Sequence, residues 1–566
     1  MSTPGQPADA DVRRLVEAAQ VWIADDPDPR TRAELTPLVD AALAGDHTAA
    51  VDLADRFGAT LAFGTAGLRG AVGAGPNRMN RAVVIRAAAG LAAYLRLDAG
   101  HPSPLVVVGY DARHRSEDFA RDTAAVVTAA GGRAALLPGP LPTPVLAFAI
   151  RHIGAHAGVM VTASHNPPQD NGYKVYLGDG AQIAPPTDAA IAARIAQFGA
   201  VAAVPRAPQG WRLLGEDVHA AYLDAVAATL DPASPRDVSV VHTALHGVGG
   251  ASVAAAFVRA GFPAPYAVPT QSQPDPDFPT LAFPNPEEPG AMDAALAVAG
   301  QMRPDLVLAS DPDADRCAVA VPDPGTSGGW RMLRGDEVGA LLGAHLLTRG
   351  VAPGGVLANS IVSSRLLAAM AADAGVPHVE TLTGFKWIAR VPGLAYGYEE
   401  ALGYCAAPQV VRDKDGVCAA LLVAELAAGL KAAGQTLLDR LDDLAVRHGV
   451  YATDAFSVRV AQVELIAATL DRLRGAAPVT VAGIPVASAH DLARGEDGLP
   501  PTEGLRYHLA DRSRLIVRPS GTEPKLKVYL EVIEPVPAPE QLAAARASAS
   551  ARLAAIRAEV ARLVGG

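Results

Sequence analysis

Four short stretches of this 566-residue chain carry residue types at spacings that could do chemistry. Thr162-Ala163-Ser164-His165-Asn166-Pro167-Pro168 follows an apolar run and continues through Asn171-Gly172-Tyr173-Lys174. A hydroxyl, an imidazole and a lysine can converge there, in a loop shaped by prolines and a glycine. Asp311-Pro312-Asp313-Ala314-Asp315-Arg316 follows a second apolar run. Its three carboxylates, at alternate positions of an extended segment bent by Pro312, can turn oxygens toward one point and suit a hard divalent cation such as Mg²⁺. A calcium-sensing loop is excluded, because its sixth position would be Arg316 and its twelfth Pro322. In Arg518-Pro519-Ser520-Gly521-Thr522-Glu523-Pro524-Lys525, Arg518 can grip an anion bidentately while Ser520, Gly521 and Thr522 complete a nest of hydroxyl and backbone donors. In Gly397-Tyr398-Glu399-Glu400-Ala401-Leu402-Gly403-Tyr404, paired carboxylates can accept from vicinal hydroxyls, and Arg412-Asp413-Lys414-Asp415-Gly416 adds charges suited to a polar, charged ligand.

These stretches need a scaffold, and the hydrophobic pattern supplies one. Residues 1 to about 60 read as helical, with Leu15, Ala18, Val21 and Trp22 at helical spacing. From Leu105 short β-branched runs alternate with amphipathic helices: Leu105–Val108, a helix over Ser116–Ala130, Arg133–Leu137, a helix over Pro144–Ile153, then Gly158–Val161. That rhythm predicts a largely parallel sheet with right-handed crossovers. It recurs with strands at Val238–Thr243, Tyr266–Val268 and Leu306–Ala309, then at Gly355–Asn359. After His448 the alternation turns antiparallel, at Phe456–Val460, Leu515–Val517 and Val528–Val532, and a long helix closes the chain from Pro539. The expected domains are 1–210, 211–327 and 328–448, all α/β, and 449–566, α+β.

Composition narrows the partners. The length exceeds what one core organises, so several domains are expected. A net charge of −11 argues against nucleic acid or an anionic membrane, both of which call for a basic face. Cys317, Cys405 and Cys418 are odd in number and supply neither a disulfide framework nor a four-thiolate zinc site. Residues 1–11 lack the basic and apolar regions of a signal peptide, and no apolar run reaches spanning length, so the expectation is a cytoplasmic protein with a small-molecule partner and no set oligomeric state. Of 48 basic residues only six are lysines: Lys174, Lys386, Lys414, Lys431, Lys525 and Lys527. Most of them fall in or beside the stretches above, where a compact ammonium does what a guanidinium fork cannot.

Together with Phe63-Gly64-Thr65-Ala66-Gly67-Leu68-Arg69-Gly70, the four stretches resemble the α-D-phosphohexomutase superfamily, in the family's order and across all four inferred domains. His242-Thr243-Ala244-Leu245-His246-Gly247 and Gly397–Tyr404 look most like the branch containing phosphoglucomutase 2 and related bacterial phosphoglucomutases and phosphomannomutases.

The resemblance implies three α/β domains and a C-terminal α+β domain around a central cleft. It implies that Ser164 carries a phosphoryl group and that Asp311, Asp313 and Asp315 hold one Mg²⁺ against a phosphoserine oxygen. Arg69, His165, Lys174 and Arg316 would surround the transferring group, with Lys174 or His165 as base. Glu399 and Glu400 would read sugar hydroxyls, Lys386 and Lys414 would orient the substrate, and Arg518, Ser520, Gly521 and Thr522 would hold the unreacting phosphate. The expected activity interconverts hexose 1- and 6-phosphates with a primer such as glucose 1,6-bisphosphate; glucose is the first expectation, then mannose, then pentose. Many members have Ser where this chain has Ala401, which removes one hydroxyl contact. An Asp311 nucleophile, as in aspartyl-phosphate enzymes, and a non-catalytic sugar-phosphate-binding protein are the competing readings.

Overall fold

The computed structural model describes residues 9–64, 67–459, 464–495, 498–520 and 525–565. Thr65, Ala66, Val460, Gly521 and Thr522, all named above, lie outside these residues. The chain divides into two compact units, Met1–Arg331 with Ala407–Leu422, and Met332–Ala406 with Val423–Gly566.

The first unit opens with helices Asp9–Asp25, Pro29–Leu43 and His47–Phe57. The buried stripe of the first helix is Leu15, Val16, Ala19 and Trp22, while Val21 is 71% exposed. Two overlapping stripes satisfy helical spacing here, and the bulk of Val16 decides which faces inward. A six-stranded sheet follows in the order β1-β5-β4-β2-β3-β6, built from β1 (Gly67–Ala71), β2 (Leu105–Tyr110), β3 (Arg133–Leu136), β4 (Ala157–Val161), β5 (Asp170–Leu177) and β6 (Arg212–Leu213). Strands β4, β2, β3 and β6 run parallel, and β5 and then β1 are added antiparallel. The β-branched runs form the centre because both faces are covered: Val106, Val107 and Val108 are each wholly buried. The second sheet, β11-β10-β9-β7-β8, combines β7 (Val240–Thr243), β8 (Tyr266–Ala267), β9 (Leu306–Ala309), β10 (Ala318–Pro322) and β11 (Trp330–Met332). Its β7, β8 and β9 are parallel, as the rhythm predicts.

The second unit holds the other two sheets. In β13-β12-β14-β15, β12 (Val356–Ser360) lies parallel to β13 (His378–Thr381) and β14 (Leu394–Glu399), and β15 (Gly403–Cys405) turns back. The last sheet, β16-β21-β20-β19-β18-β17, has antiparallel pairing throughout. It contains β16 (Val450–Arg459), β17 (Thr480–Val481), β18 (Ile484–Asp491), β19 (Leu505–Leu509), β20 (Arg514–Pro519) and β21 (Lys525–Glu534). Helices Glu464–Gly475 and Leu542–Gly565 pack on it through Ile466, Leu470, Leu553 and Ile556. The architecture is therefore three α/β domains with mixed sheets and a C-terminal α+β domain. Among the described residues no single helix is long and apolar enough to cross a membrane.

Candidate active site

Ser164 follows β4 and Asp311 follows β9, so both sit at carboxyl ends of parallel strands, where open α/β sheets bind ligands. Ser164 takes a left-handed backbone, φ 53°, with its N–H donated to Thr162 Oγ1 at 2.9 Å. The Asp311–Asp315 segment is a tight turn, not the extended strand expected: Ala314 is left-handed at φ 53° and donates its N–H to the Asp311 carbonyl at 2.9 Å. The turn achieves what alternation was expected to do. Asp311, Asp313 and Asp315 are wholly buried, with ligand oxygens within 4.8 Å of one another.

Across 147 positions of sequence, Ser164 Oγ donates to Asp311 Oδ2 at 2.8 Å, and His165 Nδ1 lies 3.2 Å from the same Oγ. Lys174 lies on β5, not in a loop, and its Nζ donates to Asp313 Oδ2 at 2.7 Å and Asp315 Oδ2 at 2.9 Å. Lys414 Nζ is 3.2 Å from Asp315 Oδ2, and Arg316 Nε is 3.8 Å from Asp311 Oδ2. Arg69, on β1, reaches Asn166 Oδ1 of the serine loop at 3.2 Å. Ser164, Arg69, His165, Lys174, Arg316, Lys414 and the three aspartates thus converge.

Charge follows from this packing. Burial, then repulsion by Asp313 and Asp315, pushes Asp311 up to about 8. Burial would raise Asp315 as well, but Lys174, Lys414 and Arg316 outweigh it and hold that carboxyl far below its ordinary value. Burial and the neighbouring Arg316 and Arg69 press His165 well below the ordinary imidazole value and keep it neutral. Lys174 loses to burial and gains more from Asp313 and Asp315, so it stays charged. Asp313 Oδ1 and Asp315 Oδ1 are buried without a hydrogen-bond partner. Two orphaned hard oxygens beside Asp311 and a hydroxyl fit a divalent cation of the Mg²⁺ kind.

The second unit carries the remaining candidates. Glu399, at the end of β14, accepts the Gly384 N–H at 2.5 Å, while Glu400 accepts from Ser363 Oγ at 3.1 Å and Ser360 Oγ at 3.3 Å. The two carboxylates are thus each held by a different segment. Lys386 lies 5.6 Å from the Trp387 ring centroid. Arg518 is the penultimate residue of β20, and Ser520, just beyond that strand, donates its N–H to the Lys525 carbonyl at 2.8 Å. Tyr529 on β21 joins these groups: burial and Glu400 raise its phenol, and a hydrogen bond with Arg518 opposes them.

Two contributors escaped the sequence reading. Arg113 donates to four carbonyls of the serine loop, Ser164 (2.6 Å), Asn166 (2.5 Å), Pro167 (2.8 Å) and Asp170 (3.1 Å). Thr143 Oγ1 donates to Asp313 Oδ2 at 2.6 Å. Asp111-Ala112-Arg113 directly follows β2, and position at a strand's carboxyl end was the signal available.

Four family profiles match in series: "Phosphoglucomutase/phosphomannomutase" alpha/beta/alpha domains I, II and III over residues 60–200, 220–326 and 334–447, and the C-terminal domain over 457–549. The chain belongs to the phosphoglucomutase/phosphomannomutase family. This mutase is 45% identical to "Probable phosphomannomutase" of Haemophilus influenzae, over 80% of its own length and 93% of the relative's. It is 36% identical to human "Phosphopentomutase", covering 85% and 86%, and 35% identical to "Phosphoglucomutase" of Staphylococcus haemolyticus, covering 84% and 91%. A crystal structure of a Thermus thermophilus protein assigned as a phosphomannomutase superposes with TM-score 0.70 at 26% identity, over 90% of this chain and all of that one. The chain is an enzyme of the phosphohexomutase type, a phosphoryl-transferring isomerase within the α-D-phosphohexomutase superfamily.

Proposed function

We propose that this mutase interconverts sugar 1-phosphates and 6-phosphates through phosphorylated Ser164 and a sugar bisphosphate, with glucose phosphate preferred. The observation that carries the reading is the buried hydroxyl of Ser164, 2.8 Å from Asp311 Oδ2 among three acids. A primer such as glucose 1,6-bisphosphate phosphorylates Ser164. The free hydroxyl of a sugar monophosphate then attacks the phosphoserine phosphorus, the bond from phosphorus to Ser164 Oγ breaks, and neutral His165 accepts the hydroxyl proton. Lys174, Arg69 and Arg316 remain charged and offset the charge on the transferring oxygens. A Mg²⁺ held by Asp311, Asp313, Asp315 and Ser164 would supply further neutralisation of phosphoryl oxygen charge.

The bisphosphate then turns over and returns its other phosphate to Ser164. Glu399 and Glu400 hold sugar hydroxyls, Lys386 and Lys414 orient the substrate, and Arg518, Ser520, Gly521 and Thr522 hold the phosphate that is not reacting. These roles fall in domains we place at 1–210, 211–327, 328–448 and 449–566. A mannose phosphate is the second reading, supported by the likeness to a relative named probable phosphomannomutase, and a pentose phosphate the third, supported by the likeness to a relative named phosphopentomutase.

The test compares kcat/KM for glucose 1-phosphate, mannose 1-phosphate and ribose 1-phosphate on one preparation. A preference for glucose 1-phosphate of about tenfold, ~1.4 kcal/mol, is expected. An equal or larger value for ribose 1-phosphate overturns the hexose reading. Ser164→Ala is expected to abolish turnover and phosphate uptake, and near-normal turnover would refute the nucleophile.

A further inference from the structure

The segment Arg412-Asp413-Lys414-Asp415-Gly416 lies within the span matched by the third family domain, yet residues 407–422 belong to the first compact unit. Three anchors fasten it there. Asp413, 1% exposed, accepts from Tyr176 Oη at 2.8 Å and Gln182 Nε2 at 2.7 Å. Asp415, 2% exposed, accepts from Tyr222 Oη at 2.8 Å and from the Cys418 N–H at 2.9 Å, in the first turn of the helix that begins at Gly416. A Cβ on Gly416 would stand 2.3 Å from the Arg316 carbonyl oxygen and 2.8 Å from that of Ala314, so the segment rests on the backbone of the aspartate turn itself.

Tyr176 lies on β5 two residues beyond Lys174, and Tyr222 lies on the helix Glu216–Ala227. Both rings are wholly buried, so neither hydroxyl can turn to water for a partner. Between the two anchored aspartates stands Lys414, whose Nζ reaches Asp315 at 3.2 Å. A lysine stem has four rotatable bonds, and its ammonium is placed only as well as its backbone is held. We propose that Tyr176, Gln182 and Tyr222 are positioning residues: through Asp413 and Asp415 they clasp the 412–416 segment and fix the Lys414 ammonium at the phosphoryl-transfer site. The inference rests on the proposed transfer at Ser164 and adds residues that touch neither substrate nor the reacting atoms. It also gives Lys414 a place at the reacting phosphate.

A double-mutant cycle tests it, with kcat and KM measured for wild type, Tyr176→Phe, Lys414→Ala and the double variant, and thermal unfolding confirming that each is folded. Tyr176→Phe is expected to lower kcat on the order of tenfold with KM moved less than about threefold. In the Lys414→Ala background the same change is expected to cost less than about twofold, because its effect passes through Lys414. A tenfold loss in both backgrounds, or no loss in either, overturns the clasp while leaving the Ser164 reading intact. A Lys414→Ala enzyme with wild-type kcat overturns the role of Lys414 and the clasp with it. Tyr222→Phe at the other anchor gives the same cycle should Tyr176→Phe fail to fold.

Discussion

Replacing Gly247 by alanine probes how the aspartate turn is held. Gly247 does not take a left-handed backbone, so alanine is conformationally allowed and the perturbation is steric. Its Cβ would stand 2.3 Å from Pro312 Cα, 2.5 Å from the Pro312 oxygen and 2.7 Å from its carbonyl carbon, all backbone atoms. Real Cβ atoms do not approach closer than 3.0 Å, so something must move by at least 3.0 − 2.3 = 0.7 Å, and by 1.1 Å to restore ordinary contact at 3.4 Å. The Gly247 side is stiff: Leu245 donates its N–H to Thr243 Oγ1 at 3.1 Å, His246 Nε2 meets Thr280 Oγ1 at 2.8 Å, and both residues are left-handed. Pro312 therefore gives way, and it stands between Asp311 and Asp313. A shift of that size at reacting groups costs about 100-fold in rate, and overpacking costs about 1–3 kcal/mol in stability. The assay is kcat at saturating substrate and Mg²⁺, beside thermal unfolding. A Gly247→Ala enzyme within about threefold of wild-type kcat and unchanged in Tm would refute the claim that the His242–Gly247 stretch buttresses the turn.

Three further outcomes follow from the same geometry. Gly300 lies within the helix Asp293–Met302, and a Cβ added there would meet nothing within 4 Å, so Gly300→Ala is expected to stabilise by about 0.5–1 kcal/mol in urea unfolding without touching kcat. Arg113→Lys cannot span four carbonyls from one ammonium; it is expected to cost on the order of 3 kcal/mol in the same measurement and to lower kcat, because the serine loop loses donors. Asp336, buried and raised from 3.8 to about 7 by desolvation with repulsion from Glu400 and Glu531 added, keeps its proton in the folded state where the unfolded chain has lost it. Its contribution to stability therefore falls as pH rises from about 4 to about 7 and is level above, by on the order of 4 kcal/mol at ~1.4 kcal/mol per pH unit. Asp336→Asn removes that slope, so the variant should gain on wild type between pH 5 and pH 8 in urea unfolding; a constant difference would contradict the assignment.

Much of the site was legible because its residues are clustered in short segments at strand ends. The β-branched run at Val106–Val108 and the apolar run before Asp311 announce their strands, and the loops after them announce the ligand edge. Strand β5 was less visible: Asn171-Gly172 looks like loop punctuation, yet pairing with β1 and β4 makes it a strand and places Lys174 under the acids. In the last domain the short β17, the bulged β18 and β19 were missed, since brief alternation next to Gly and Pro resembles turn sequence, and the helix Glu464–Gly475 was missed with them. Lys414 read as part of a sugar-facing segment; only tertiary packing brings it to Asp315, because spacing along the chain says nothing of approach across 99 positions, 414 − 315.

The most direct test is to identify the phosphorylated residue. Enzyme treated with labelled glucose 1,6-bisphosphate, digested and mapped, is expected to carry the label on the peptide containing Ser164, stable to hydroxylamine. Label on the peptide containing Asp311, or label released by hydroxylamine, would contradict the account at its centre.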